Sequence, residues 1–128
     1  MGKTKILVVD DEERLTKMVK LNLEQTGNYE VMVENISTNA LDTVRNFKPD
    51  LIILDIMMPD ISGDMIAQQI LDDEELKNIK IIFLTAIVTE DEVKIKGGEI
   101  AGRTFIAKPV KIDELISCIE EKLKTNLK

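Results

Sequence analysis

Four aliphatic residues, Leu51-Ile52-Ile53-Leu54, run directly into Asp55 and, four residues later, into Pro59. The run is too short for a buried helix, follows Pro49-Asp50 and contains two isoleucines, so it predicts a strand covered on both faces. Lys5-Ile6-Leu7-Val8-Val9 has the same form and ends in Asp10-Asp11-Glu12-Glu13. Two more runs follow: Lys80-Ile81-Ile82-Phe83-Leu84 ends in Thr85, and Thr104-Phe105-Ile106-Ala107 ends in Lys108-Pro109. A different pattern marks Tyr29, Val31 and Val33, which alternate with Glu30, Met32 and Glu34. That alternation predicts a strand with one wetter face, suited to a sheet edge.

Between these strands the apolar period changes to that of a helix. Leu15, Met18, Val19 and Leu23 predict a helix over 13–26, with acids in its first turn, where the helix dipole favours them, and Gly27-Asn28 to stop it. Ala40, Leu41, Val44 and Phe47 predict a second, ending near Lys48-Pro49 because proline disfavours helical geometry at the residue before it. Met65, Ile66, Gln69 and Ile70 predict a third after Gly63, closing in Asp72-Asp73-Glu74-Glu75. Thr89 and Glu92 stand at capping-box spacing before a short helix reaching Lys96, which Gly97-Gly98 break. Ile112, Leu115, Ile116, Ile119 and Leu123 predict an amphipathic last helix with a lysine-rich end. Five alternations of strand and helix, without a linker or repeat, predict an α/β, doubly wound, flavodoxin-like sandwich: a five-stranded parallel sheet with helices on both faces.

Composition narrows the chemistry. A chain of 128 residues is the size of one domain, and 44% hydrophobic with 32% charged residues is the balance of a soluble globular protein. No apolar run suffices to cross a bilayer, and the N-terminus lacks the apolar core of a secretory signal, so a cytoplasmic setting without membrane contact is expected. The net charge of −7 would be repelled by phosphate backbones, which argues against direct nucleic-acid binding. Cys118 is the single cysteine and has no partner for a disulfide; with no histidine in the chain, histidine bases and ligands are excluded.

With strand order 2-1-3-4-5, the first and third strands straddle the point where the winding reverses, and Asp10, Asp11 and Asp55 meet in one crevice. Three adjacent carboxylates repel one another, and a hard divalent cation such as Mg²⁺ relieves that repulsion. A carboxylate beside such an ion can attack phosphorus, while a lysine and a hydroxyl opposite, Lys108 and Thr85, bind the transferred oxygens.

Val9-Asp10-Asp11-Glu12, Leu54-Asp55-Ile56-Met57-Met58-Pro59 with Gly63, Leu84-Thr85-Ala86 and Lys108-Pro109 together resemble the receiver domain of two-component response regulators, over essentially the whole chain. The resemblance implies that Asp55 is the phosphoacceptor and that Asp10 and Asp11, with a main-chain carbonyl at Met57, complete a Mg²⁺ site. It further implies that Thr85 is the switch hydroxyl, that Lys108 pairs with the phosphate, that the Lys108-Pro109 bond is cis and that Phe105 occupies an aromatic switch position. Side chains at Met57 and Ile87 would flank the path of the water that hydrolyses the aspartyl phosphate. Residues 1–128 would then be a single receiver domain without an output domain, catalysing at most its own phosphorylation and dephosphorylation. Its expected partners are a sensor histidine kinase or phosphotransfer protein as donor and an output protein, with a phosphorylation-dependent homodimer left open. Two rival classes share parts of the pattern. A haloacid-dehalogenase-type phosphatase carries a second acid two residues after its nucleophile, where this chain has Met57. A flavodoxin-like binding protein needs a Ser/Thr/Gly-rich loop after the first strand, where this chain has Asp10-Asp11-Glu12-Glu13.

Overall fold

The computed structural model describes residues 2–86, 99–100 and 103–124. In chain order these form β1 (Thr4–Val9), α1 (Glu13–Gln25), β2 (Tyr29–Glu34), a 3-10 turn (Ser37–Asn39), α2 (Ala40–Phe47), β3 (Leu51–Asp55), α3 (Gly63–Leu71), β4 (Lys80–Thr85), β5 (Glu99–Ile100), β6 (Arg103–Ala107) and α4 (Ile112–Lys124). The five longer strands are parallel and follow the order β2-β1-β3-β4-β6, the expected 2-1-3-4-5 winding with β6 as its fifth member. One strand was not anticipated: β5 pairs antiparallel with β6, Glu99 opposite Thr104 and Ile100 opposite Arg103, and so extends the sheet to six strands. Two residues are too few to carry a period, so nothing in the sequence pattern announces this edge. The helix expected within 89–96, its Gly97-Gly98 break and Ile87 lie outside the described residues.

The aliphatic runs become strands because each face of the sheet has its own cover. Ile6, Val8, Leu51, Ile53, Ile82 and Leu84 point to one side, where they pack with Val19 and Leu23 of α1 and Leu115 and Ile119 of α4. Leu7, Val9, Ile52, Leu54 and Phe83 point to the other, against Ala40, Val44 and Phe47 of α2 and Ile66, Ala67 and Ile70 of α3. All five residues of β3 are buried, as befits the middle of a doubly covered sheet. In β2, by contrast, Tyr29 and Val31 are buried while Glu30 and Met32 are exposed, the alternation of an edge strand with a solvated face. Cys118 packs against the α1 and α4 side of the core, where burial pushes its thiol up from the ordinary value.

Helix ends are set by local chemistry. Ser62 caps α3 by accepting a hydrogen bond from the Met65 amide, and its 3.2 Å contact fixes where that helix begins. Lys48 closes α2 in the left-handed region at φ 54°, and Pro49 then forbids further helix. The Lys108-Pro109 peptide is cis, as expected. No helix among the described residues is long and apolar enough to cross a membrane.

Candidate functional site

Parallel register delivers the polar strand ends to a single edge of the sheet. Val9 lies beside Leu54, so Asp10 and Asp55 emerge as neighbours from β1 and β3. On the far side Asp55 is level with Leu84, and Thr85 with Ala107. The Lys108 amide then donates to the Thr85 carbonyl at 2.9 Å, which holds the loop after β6 against the end of β4. Asp10 is fully buried, Asp55 and Thr85 are each 3% exposed, and Asp11 faces solvent.

The loop after β3 closes onto the site through one glycine. The Gly63 amide donates to the Ile56 carbonyl at 2.8 Å, bringing the start of α3 onto the end of β3. A β-carbon at Gly63 would overlap the Asp55 carbonyl oxygen and lie 2.8 Å from its carbon and 2.9 Å from Ile56 Cα. No other residue fits that approach, because the obstacle is backbone on both sides.

Lys108 reaches back across the sheet. Its Nζ lies 2.9 Å from Asp10 Oδ2, 2.7 Å from Glu12 Oε1 and 3.4 Å from Asp55 Oδ1. Burial pushes the Asp55 carboxyl up to about 6, the charge of Asp10 adds to the rise, and Lys108 and the Met57 amide oppose it. Asp10 is also raised by burial, against the pull of the Glu12 amide and Lys108. For Lys108 burial disfavours the charge, but the contacts with Glu12 and Asp10 outweigh it and hold the ammonium above its ordinary value.

One oxygen each of Asp10, Asp11 and Asp55 lie within 4.8 Å of one another, the single such grouping among the described residues. This donor set fits Mg²⁺ on two counts. It is all oxygen, as a hard cation prefers, and the buried Asp10 Oδ2, although charge-paired with Lys108, accepts no aligned hydrogen bond and retains lone pairs for an ion.

The structure therefore brings together Asp10, Asp11, Asp55 and Lys108, with Thr85 on the adjacent strand end. The Met57 amide lies near enough to the Asp55 carboxylate to favour its charged form, and the residue is 66% exposed. Phe105 stacks on Phe83 with ring centroids 5.4 Å apart, and Arg103 lies over the opposite strand's Phe83 ring at 5.1 Å while pairing with Asp64 of α3. Three participants had no role assigned from the sequence. Glu12 shares Lys108; Asn35 Nδ2 donates to the Asp10 carbonyl at 2.8 Å and to Thr16 Oγ1 at 2.9 Å; Ser37 donates to the Pro59 carbonyl at 2.6 Å. Each is a polar residue in a loop or helix start whose partner is distant in sequence, so spacing carries no sign of it.

Residues 6–120 match the family model described as the response regulator receiver domain. The chain is 39% identical over 124 residues to the phosphate regulon transcriptional regulatory protein PhoB of Pseudomonas aeruginosa, an alignment covering 97% of this chain but 53% of that protein. The chain thus spans about half the length of that regulator. It is 34% identical over 119 residues to the polar-differentiation response regulator DivK of Brucella ovis, covering 92% of this chain and 94% of DivK. Among solved structures, the receiver domain of the Francisella response regulator 1452 superposes with a TM-score of 0.77 at 29% identity, over 97% of this chain and 99% of that one. The chemotaxis protein CheY4 of Vibrio cholerae gives 0.79 at 25% identity, over 94% and 99%.

Two outcomes follow from the geometry. Gly63→Ala is expected to lower stability to urea by about 1–3 kcal/mol, since the added methyl meets backbone that cannot step aside, and to weaken Mg²⁺ binding with it. Unchanged values for both would show that the loop relaxes freely. In chelator, the folded protein holds the Asp55 proton more tightly than the unfolded chain, whose carboxyl has the ordinary value of 3.8. Stability then falls as pH rises from about 4 through about 6, and the loss persists above. Asp55→Asn removes that burden and is expected to stabilise the metal-free protein at pH 7.5 by on the order of 1–3 kcal/mol, with a smaller gain at pH 5. Equal gains at both pH values, measured by denaturation, would contradict this assignment.

Proposed function

The chain belongs to the response regulator receiver family, and from that premise we propose that it is a phosphorylation-activated switch whose phosphoacceptor is Asp55. The observation that supports this most directly is the pairing of a nearly buried carboxylate with two further acids and one lysine at the ends of β1, β3 and β6. On this reading Asp10, Asp11, Asp55 and the Met57 main-chain carbonyl hold Mg²⁺. When bound, the ion supplies charge neutralisation between these carboxylates and the incoming phosphoryl group. An Asp55 carboxylate oxygen bonds to phosphorus as the phosphorus–nitrogen bond of a phosphohistidine donor breaks, and the imidazole leaves with the donor.

Lys108 and Thr85 take the transferred oxygens. Lys108 is already within 3.4 Å of Asp55 Oδ1, so its ammonium needs little movement to pair with a phosphate there. Because the Lys108 amide is bound to the Thr85 carbonyl, a shift of either is felt by the other and by the stacked Phe83 and Phe105. Residues 1–128 hold no histidine to carry the phosphoryl group, so on this reading it comes from a histidine kinase or phosphotransfer protein, and the response passes to an output protein through surface contacts. Its setting on this reading is the cytoplasm, and its only catalysis is on its own phosphorylation state. A phosphorylation-dependent homodimer is one form the output contact can take.

Incubation with Mg²⁺ and a small phosphodonor, followed by mass spectrometry, is expected to place one phosphate on Asp55. Labelling of Asp55→Asn at the wild-type level, or full wild-type labelling in excess chelator, would sink the assignment. The lifetime of the phosphate tests a finer point. Met57 presents a thioether with at most a weak acceptor beside Asp55, which orients an attacking water poorly. Met57→Asn and Met57→Glu are expected to hasten loss of phosphate in the absence of any partner; an unchanged decay rate would refute the water-access account alone.

A further inference from the structure

Glu12 occupies the N-cap position of α1, with extended backbone at φ −82° and ψ 101°, yet its side chain caps nothing. Short acceptors such as Ser, Thr, Asp and Asn are favoured there because they reach the free amides of the first turn. The Glu12 carboxylate instead crosses to the other end of the chain, placing Oε1 2.7 Å from Lys108 Nζ. That is the shortest of the three contacts Lys108 makes to carboxylates, against 2.9 Å to Asp10 and 3.4 Å to Asp55. Glu12 is also the one of the three that stands outside the Asp10, Asp11 and Asp55 grouping. A divalent ion in that grouping draws charge from Asp10 and Asp55 but leaves Glu12 free to keep the lysine.

We propose that Glu12 is an intramolecular competitor for Lys108: it holds the ammonium in the unphosphorylated chain and must yield it to phosphoryl oxygens on Asp55, so that it sets how tightly the site grips a tetrahedral anion. This rests on Asp55 being the phosphoacceptor. The competition is graded rather than a lock, because the Glu12 side chain is 61% exposed and exposed ion pairs contribute little. A simpler role, an acid favoured by the positive end of the α1 dipole, is already filled by Glu13 and does not require the carboxylate to lie on Lys108.

Beryllofluoride, which mimics an aspartyl phosphate, separates these roles when titrated into the whole chain at saturating Mg²⁺ and followed by NMR of the site amides. Glu12→Gln, which keeps the side-chain size, and Glu12→Asp, which keeps the charge but loses the reach, are both expected to lower the half-saturating concentration about two- to fivefold, the range that losing an exposed pair allows. Glu13→Gln serves as the charge control and should change it by less than about 1.5-fold, and Mg²⁺ binding alone should move by less than about twofold, both changes being too small for a lost contact. In a Lys108→Ala background the Glu12→Gln effect should vanish. Equal binding by Glu12→Gln and wild type, or an equal effect with and without Lys108, overturns the competition while leaving Asp55 as acceptor. A wild-type chain that takes no beryllofluoride, or takes it equally well as Asp55→Asn, overturns the acceptor reading and this proposal together.

Discussion

One lysine ammonium is set against two buried carboxylates, and much of the chain is arranged so that this is tolerable. Asp10 and Asp55 are almost entirely withdrawn from water at the ends of adjacent strands, where like charges repel in a weakly screening environment. Burying either without a counter-charge would cost more than a small domain's margin of stability allows. Lys108 supplies that charge from the far end of the sequence, which requires β6 to sit beside β4 in a fixed register and its loop to turn back over the strand ends. The compensation is incomplete, since Asp55 is still pushed up to about 6 and the buried Asp10 Oδ2 accepts no aligned hydrogen bond. An incompletely neutralised site attracts a cation, and its residual strain becomes the driving force for whatever binds there.

The two apolar layers make that placement rigid. Because residues of β1, β3 and β4 alternate between the α1 and α4 side and the α2 and α3 side, a register slip of one residue would exchange the two covers and expose neither side correctly. The strand ends therefore cannot drift relative to one another, and Asp10, Asp55, Thr85 and Lys108 keep their spacing without direct bonds among all of them. Gly63 adds the third dimension. Its missing side chain lets α3 start against the Asp55 carbonyl, so that the loop carrying Met57 is pinned at both ends.

Much of this was legible in the sequence because parallel sheets covered on both faces leave a strong mark. Short aliphatic runs ending abruptly in Asp10, Asp55, Thr85 and Lys108 named both the strands and the polar edge, and the alternation from Tyr29 to Glu34 named the outer strand. The misses share a different physical origin. The Glu99–Ile100 strand is too short to carry a period, and its pairing is backbone hydrogen bonding that any side chains permit. Glu12 read as one acid among four at a helix start, where the dipole explains acids generically; that it reaches Lys108, 96 positions away, follows only from the folded geometry. Asn35, just after β2, joins the Asp10 carbonyl at the end of β1 to Thr16 in α1, an interaction that belongs to no motif.

The same charge arithmetic limits how the switch can work. An exposed contact such as Glu12 to Lys108 can bias an equilibrium only by its own small differential strength, so it can tune the resting state but cannot drive a large population change. A phosphoryl group on Asp55, as proposed, would differ in kind: it would add acceptor oxygens and up to about two charges next to groups already withdrawn from water, where pairing is strongest. On the proposed reading, the large step in energy comes from Lys108 and Thr85 re-pairing on the phosphate. The route outward is then set by what those residues are bonded to. Lys108 carries the Thr85 carbonyl with it, and Thr85 ends the strand that bears Phe83, on which Phe105 and Arg103 rest. Arg103 is paired with Asp64 in the first turn of α3, so the contacts that begin at the ends of β4 and β6 continue to the start of that helix.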